Sequence, residues 1–194
     1  NTTLRPSFAA PVSRRLAVAG ITARPTQVHI SRVDAAEVMP DDEDTGSENV
    51  LRAGFIDIQN QLGTADTITG LGSFDGSRLA ILTRDRVLIY QITENIDQWA
   101  IDDSANIYVG TQSHKTIRSA GTDLLFCSRT GIHSVRRSVE NGILVYSFTL
   151  SSKVEELYRE LYASVNNPQD IEAVWDQDRG QYHIFFPNTA TART

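Results

Sequence analysis

The chain has a single cysteine in 194 residues, Cys127, so no internal disulfide can form. That thiol sits in the apolar run Leu124-Leu125-Phe126-Cys127, which suits a small buried hydrophobe better than an exposed, activated nucleophile. No stretch approaches the roughly 20 consecutive apolar residues of a membrane-spanning helix. There is no Gly-x-Ser-x-Gly elbow and no glycine loop ending in Lys-Ser or Lys-Thr to cradle a phosphate. The four histidines, His29, His114, His133 and His183, lie far apart, and none stands in His-x-x-x-His ligand spacing. Asp41-Asp42-Glu43-Asp44 lacks the alternate spacing and the glycine of a calcium loop. Spacing therefore nominates no catalytic residue, no metal ligand and no cofactor site.

What is present is ordinary globular usage, 40% hydrophobic and 22% charged, with a formal net charge of −6. The charge is uneven. Arg5, Arg14, Arg15, Arg24 and Arg32 precede any acid, and then Asp34, Glu37 and the acidic cluster follow. The basic run suits either an anion contact or a solvated arm, whereas the acidic total does not advertise a phosphate-gripping surface. The start at Asn1 lacks the layout of a secretion signal and reads as a processed or trimmed end, and Asn188–Thr194 reads as a chain cut mid-fold.

Residues 1–50 hold two short β-like runs, 16–21 and 27–33, joined through Pro25, and then an exposed acidic loop at 41–46. They form an N-terminal arm, distinct from a β-repeat region at 51–194 that belongs to a larger subunit. Within that region Asp75-Gly76 and Asn141-Gly142 are hairpin turns, since both pairs favour positive φ. Gly70-x-Gly72 has no helix after it and reads as a loop.

One strand-turn-strand unit recurs. Arg78–Thr83 turns into Arg86–Tyr90, Asp123–Ser128 turns through Gly131 into Ile132–Val135, and Ala173–Asp176 turns through Gly180 into Gln181–Phe186. The turns step by about 45 and about 49 residues, near the ~40–50 of a propeller blade. Such hairpins cannot cover their own apolar faces, so the sheets must stack. Matching alternate positions, Leu79 and Ile81, Leu124 and Phe126, Ala173 and Trp175, form the expected core. One α-helix interrupts this pattern near 152–165. It has apolar residues at Val154, Leu157, Tyr158, Leu161, Tyr162 and Val165, and Ser152 with Glu155 in capping-box spacing. Asn166-Asn167-Pro168 stops it.

The segment Thr116–Val135, the helix opening at Ser151-Ser152-Lys153-Val154-Glu155, and the strands Ile171–Asp176 and Tyr182–Phe186 resemble stretches of the tail nozzle (tail tubular protein B) family of short-tailed bacteriophages. Ile68–Tyr90 matches the preceding blade, so the resemblance spans about 51–187 and rests on hydrophobic and turn positions. It implies a virion structural protein, made in the host cytoplasm, with a β-propeller in a subunit that assembles as a homo-oligomeric ring, a hexamer. The ring surrounds the DNA exit channel, touches neighbouring tail and adaptor proteins, and passes DNA during ejection without sequence-specific binding. It implies no enzyme and no cofactor. Family members are longer, and three blades cannot close a propeller, so the fold is mainly β as an incomplete propeller or a sandwich.

Two other readings stay open. A host-surface glycan- or protein-binding β module would set aromatic rings such as Trp99, Trp175 and Tyr182 side by side in a groove. A glycosidase would need two carboxylates about 5–10 Å apart. The nearest candidates, Glu172, Asp176 and Asp178, look like turn residues, where aspartate serves local hydrogen bonds.

Overall fold

Short runs of β-forming residues between turns fold into three successive four-stranded antiparallel meanders, so the protein is mainly β. In this computed structural model, residues 5–40, 51–62, 66–102, 107–136, 138–140, 143–145 and 148–187 are described. The first sheet is β1 (Phe8–Val12), β2 (Arg15–Ala19), β3 (Gln27–Ile30) and β4 (Gly54–Asp57), in that order. The second repeats the plan with β5 (Ile68–Phe74), β6 (Arg78–Thr83), β7 (Val87–Gln91) and β8 (Ala100–Ile101). The third runs β9 (Arg118–Ala120), β10 (Asp123–Cys127) and β11 (Ile132–Arg136). A separate hairpin of β12 (Ser138–Glu140) and β13 (Ile143–Val145) intervenes before β14 (Phe148–Thr149) returns to pair with β11. The pair β15 (Glu172–Asp176) and β16 (Gln181–Phe185) comes last.

Consecutive sheets meet through their first strands. β5 packs on β1, β9 on β5, and β15 on β9. The third hairpin is therefore not equivalent to the other two: β15 takes the first-strand place, whereas β6 and β10 are second strands.

The middle sheet is covered on both faces, and this explains why β6 is buried at every position instead of alternating. Its Leu79 and Ile81 enter the core shared with Val28 and Ile30 of the first sheet. Ala80 and Leu82 enter the core shared with Leu124 and Phe126 of the third. Each leucine, isoleucine, valine or phenylalanine removed from water in this way contributes about 1.5–3 kcal/mol. Ala173 is also fully buried, while Trp175 is only half-buried, because the sheet of β15 and β16 has two strands and little to cover it.

The division at residue 50 does not hold as an arm against a core. β3 pairs with β4 across it, and Ala10, Val12 and Ala17 share one core with Leu71 and Leu79. The strands of 8–30 are an integral sheet. Gly70 and Gly72 lie within β5 rather than in a loop. They pack against the third sheet, where a Cβ at either position would collide with Ile117. Asp75 and Gly76 do form the tip after β5, with φ of 51° and 69°, and Asp75 pairs with Arg78 at 2.6 Å. Gly180 takes φ 61° in the turn before β16. Gly131 closes the turn after β10, where a side chain would run into Ser151. Asn141-Gly142 and the acidic loop at 41–46 lie outside the described residues.

A 3-10 turn over Ser152–Val154 leads into α2 (Glu155–Ser164), which follows the single-turn helix α1 (Gln59–Leu62). No capping box forms, because the 3-10 turn displaces Ser152 from the cap position and no side chain caps the α-helix. Tyr158, Tyr162 and Val165 pack with Ile171 and the flanks of β11 and β16, whereas Val154, Leu157 and Leu161 face outward. The apolar stripe was too wide for the surface that receives it. No described helix is long and apolar enough to cross a membrane.

Candidate functional site

The sequence-nominated groups scatter over the fold. His29 is fully buried in the first sheet, and half-buried His114 lies 4.9 Å from the Phe8 ring. His133 is buried on β11, and His183 is exposed on β16. Among the described residues no group of three His, Cys, Asp or Glu side chains gathers as a metal cluster.

One pair has the look of nucleophile and base: Ser128 Oγ lies 2.9 Å from His133 Nε2. Its surroundings assign it a structural task. Ser128 Oγ accepts the N–H groups of Thr130 and Gly131 at 3.0 and 3.2 Å, which ties down the turn after β10. The other imidazole nitrogen faces the Thr149 hydroxyl at 3.5 Å rather than a carboxylate. Burial lowers the His133 pKa, so the ring stays neutral at pH 7. Cys127 faces Ile132 across the ladder, not His133, and burial pushes its thiol up to about 11.

The carboxylates do not pair either. Glu172 binds Lys115 at 2.8 Å, while Asp176 Oδ1 accepts the N–H groups of Asp178 and Arg179, both at 3.1 Å. Glu172 and Asp176 stand at opposite ends of β15, their Cα atoms about 13 Å apart at strand rise, each held by its own local partner. The aromatic trio also divides. Trp175 lies opposite Tyr182 across β15 and β16, but Trp99 packs on the core of the first two sheets and donates its indole N–H to Thr93 O at 3.0 Å.

Two arginines of the N-terminal run are engaged within the chain, Arg14 at the surface and Arg15 in the interior. Arg14, at a hairpin tip with φ 61°, pairs with both Asp34 and Glu94. Arg15 is buried, lies over the Trp99 ring at 5.2 Å, and donates to Ser31 O and Arg52 O at 2.8 and 2.7 Å. Both arginines reach the Glu94 segment after β7, so they link the first sheet to the second and already have partners within the chain.

One concavity that spacing did not nominate carries two arginines without an ion-pair partner among the described residues. It lies between the turn after β6 and the turn after β10. The two turns are built alike: Thr83 Oγ1 accepts the Arg86 N–H at 3.1 Å, as Ser128 Oγ accepts that of Gly131. Each carries an arginine at its first exposed position, Arg84 and Arg129. Between them runs the segment 107–112, fixed by Val87 N–H to Ile107 O at 3.0 Å and Thr111 N–H to Thr83 O at 2.9 Å. Gly110 is what permits this approach, because a Cβ there would strike the backbone of Thr83 and Arg84. The open cleft has a volume of about 140 Å³, and Asp85, Tyr108 and Gln112 complete its walls. Neither Arg84 nor Arg129 has an ion-pair partner among the described residues. The signal in the sequence was the repeated hydroxyl-Arg pair, Thr83-Arg84 and Ser128-Arg129, which only the sheet stacking brings together.

No protein-family model matches the chain, and no curated protein matches it significantly.

Proposed function

We propose that this chain is part of a structural subunit of a phage tail, in which the successive meanders are blades of a β-propeller and the subunit assembles into a ring at the DNA exit channel. One observation carries the reading: each sheet's first strand lies against the first strand of the next, from β1 through β5 and β9 to β15. Successive four-stranded sheets that stack face to face with their first strands adjacent are the plan of propeller blades. The pair β15–β16, starting at the first-strand place, fits the opening of a further blade in a longer subunit. The resemblance at 116–135 supports the tail assignment. The net charge of −6 suits a wall that lets DNA slide, because a cationic lining would hold the phosphate backbone by counterion release.

The test is direct imaging with mass measurement. The expressed chain is expected to yield ring-shaped particles of one copy number by native mass spectrometry and negative-stain microscopy. Antibodies raised against it are expected to decorate the tail tips of intact particles. Monomers throughout, with antibodies that label no virion, would overturn the proposal.

A further inference from the structure

We propose that the cleft between the turns after β6 and β10 binds an acidic sugar, with Arg84 and Arg129 holding its carboxylate. This inference does not depend on the tail assignment. It starts from the two guanidinium groups, which are exposed, share one cleft and have no ion-pair partner among the described residues. Arginine offers a planar fork that fits a carboxylate through two parallel hydrogen bonds, so a pair of arginines selects an acid over a neutral sugar.

The remaining walls decide against a bare anion. Asp85 adds a carboxylate to the same cleft, which repels any anion; a sugar can offset that repulsion by donating hydroxyl protons to it, and a bare phosphate or sulfate cannot. Gln112 supplies both a donor and an acceptor for the same purpose. Tyr108 is 67% exposed, a large ring left in water, and Arg86 lies over it at 5.2 Å. Arg86 in turn donates to Gln61 O at 2.9 Å, so the tyrosine has an anchored neighbour that orients it. An exposed, oriented aromatic ring gives the apolar face of a pyranose a surface to lie on.

The walls are also preorganised. Both turns are braced by backbone amides that donate to a hydroxyl, and the segment between them is tied to β7 and Thr83, so little ordering is required on binding. Beyond Arg129 the cleft continues into a second open groove, which shares Gln112 and Thr130 and has an apolar floor including Tyr162 and Val165. A neighbouring residue of an acidic polysaccharide would lie there.

The test is saturation-transfer NMR on the full chain with glucuronic acid, N-acetylneuraminic acid, glucose and inorganic phosphate. Expected is transfer to at least one acidic sugar, none to glucose, and a loss of affinity on the order of tenfold or more in Arg84→Ala and in Arg129→Ala. Tyr108→Ala should weaken the sugar without altering the fold. Arg129→Lys should fail to restore binding, because an ammonium lacks the planar fork. Transfer to neither acidic sugar, or undiminished transfer in both arginine variants, would overturn the proposal. Displacement of the sugar by equimolar phosphate, with Tyr108→Ala silent, would reduce the site to a plain anion site and overturn it equally.

Discussion

Gly72 of β5 leaves the space that Leu124 of β10 fills: a Cβ added at Gly72 would lie 2.8 Å from both terminal methyl groups of Leu124. The second and third sheets can approach only because this glycine and Gly70 keep the first strand bare on one side. Gly72→Ala is expected to destabilise the fold by about 1–3 kcal/mol through overpacking. A lowered urea midpoint at unchanged m-value would show it. A midpoint equal to that of the parent would mean that the sheets do not meet there.

The same interface holds Phe126, fully buried on β10 and stacked on His133 with ring centroids 5.5 Å apart. Phe126→Ala is expected to cost about 3–5 kcal/mol, the transfer term plus the cavity. Leu157→Ala on α2 is the control. That side chain is 57% exposed, so the loss should stay within about 0.5 kcal/mol. Equal losses at the two positions would place the helix the wrong way round.

Much of the β framework was legible because hairpins announce themselves locally. Arg78–Tyr90 and Asp123–Val135 carry β-branched and aromatic runs on either side of turn residues, and both fold as read. The lateral order was not legible. β15 looks like β10 in sequence, yet it sits in a first-strand place, since strand position is set by packing against β9 rather than by local pattern. Gly70-x-Gly72 read as a loop because a glycine in a strand has meaning only through what approaches it. The N-terminal strands read as an arm because the partner of β3, Gly54–Asp57, lies beyond the acidic segment. The arginine cleft stayed hidden for a similar reason: residues 84 and 129 meet only once two sheets have stacked.

Acid sensitivity should begin near neutrality. Burial lowers the pKa of His133, and burial followed by the charge of Arg118 lowers that of His114. The unfolded chain then binds more protons than the folded one as the pH falls below about 6.5. The stabilisation is fully present above that value and is lost as the pH drops through the lowered folded pKa values. The melting temperature should therefore be level from pH 8 to 7 and decline below about 6.5, and His133→Gln should flatten part of that decline. A decline that starts only in the carboxylate range, near pH 4, would show that the imidazoles titrate normally.

Cys127 should be inert in the folded state. Its sulfur lies 3.5 Å from the Tyr182 hydroxyl, which donates to Thr116 O and so seals β16 against the third sheet. With burial holding the thiol pKa at about 11, only about one molecule in a thousand carries a thiolate at pH 8, and that thiolate is inaccessible. Labelling with a disulfide reagent should accordingly wait for opening of the β15–β16 pair and become immediate in denaturant. Tyr182→Phe removes the hydroxyl and leaves Thr116 O without this donor, at a cost of about 1–2 kcal/mol. Labelling should then accelerate by roughly the corresponding factor of 5 to 30 if local opening controls access. A thiol that labels in the native protein as fast as free cysteine would show that β16 does not cover it, and would remove the seal between the last hairpin and the third sheet.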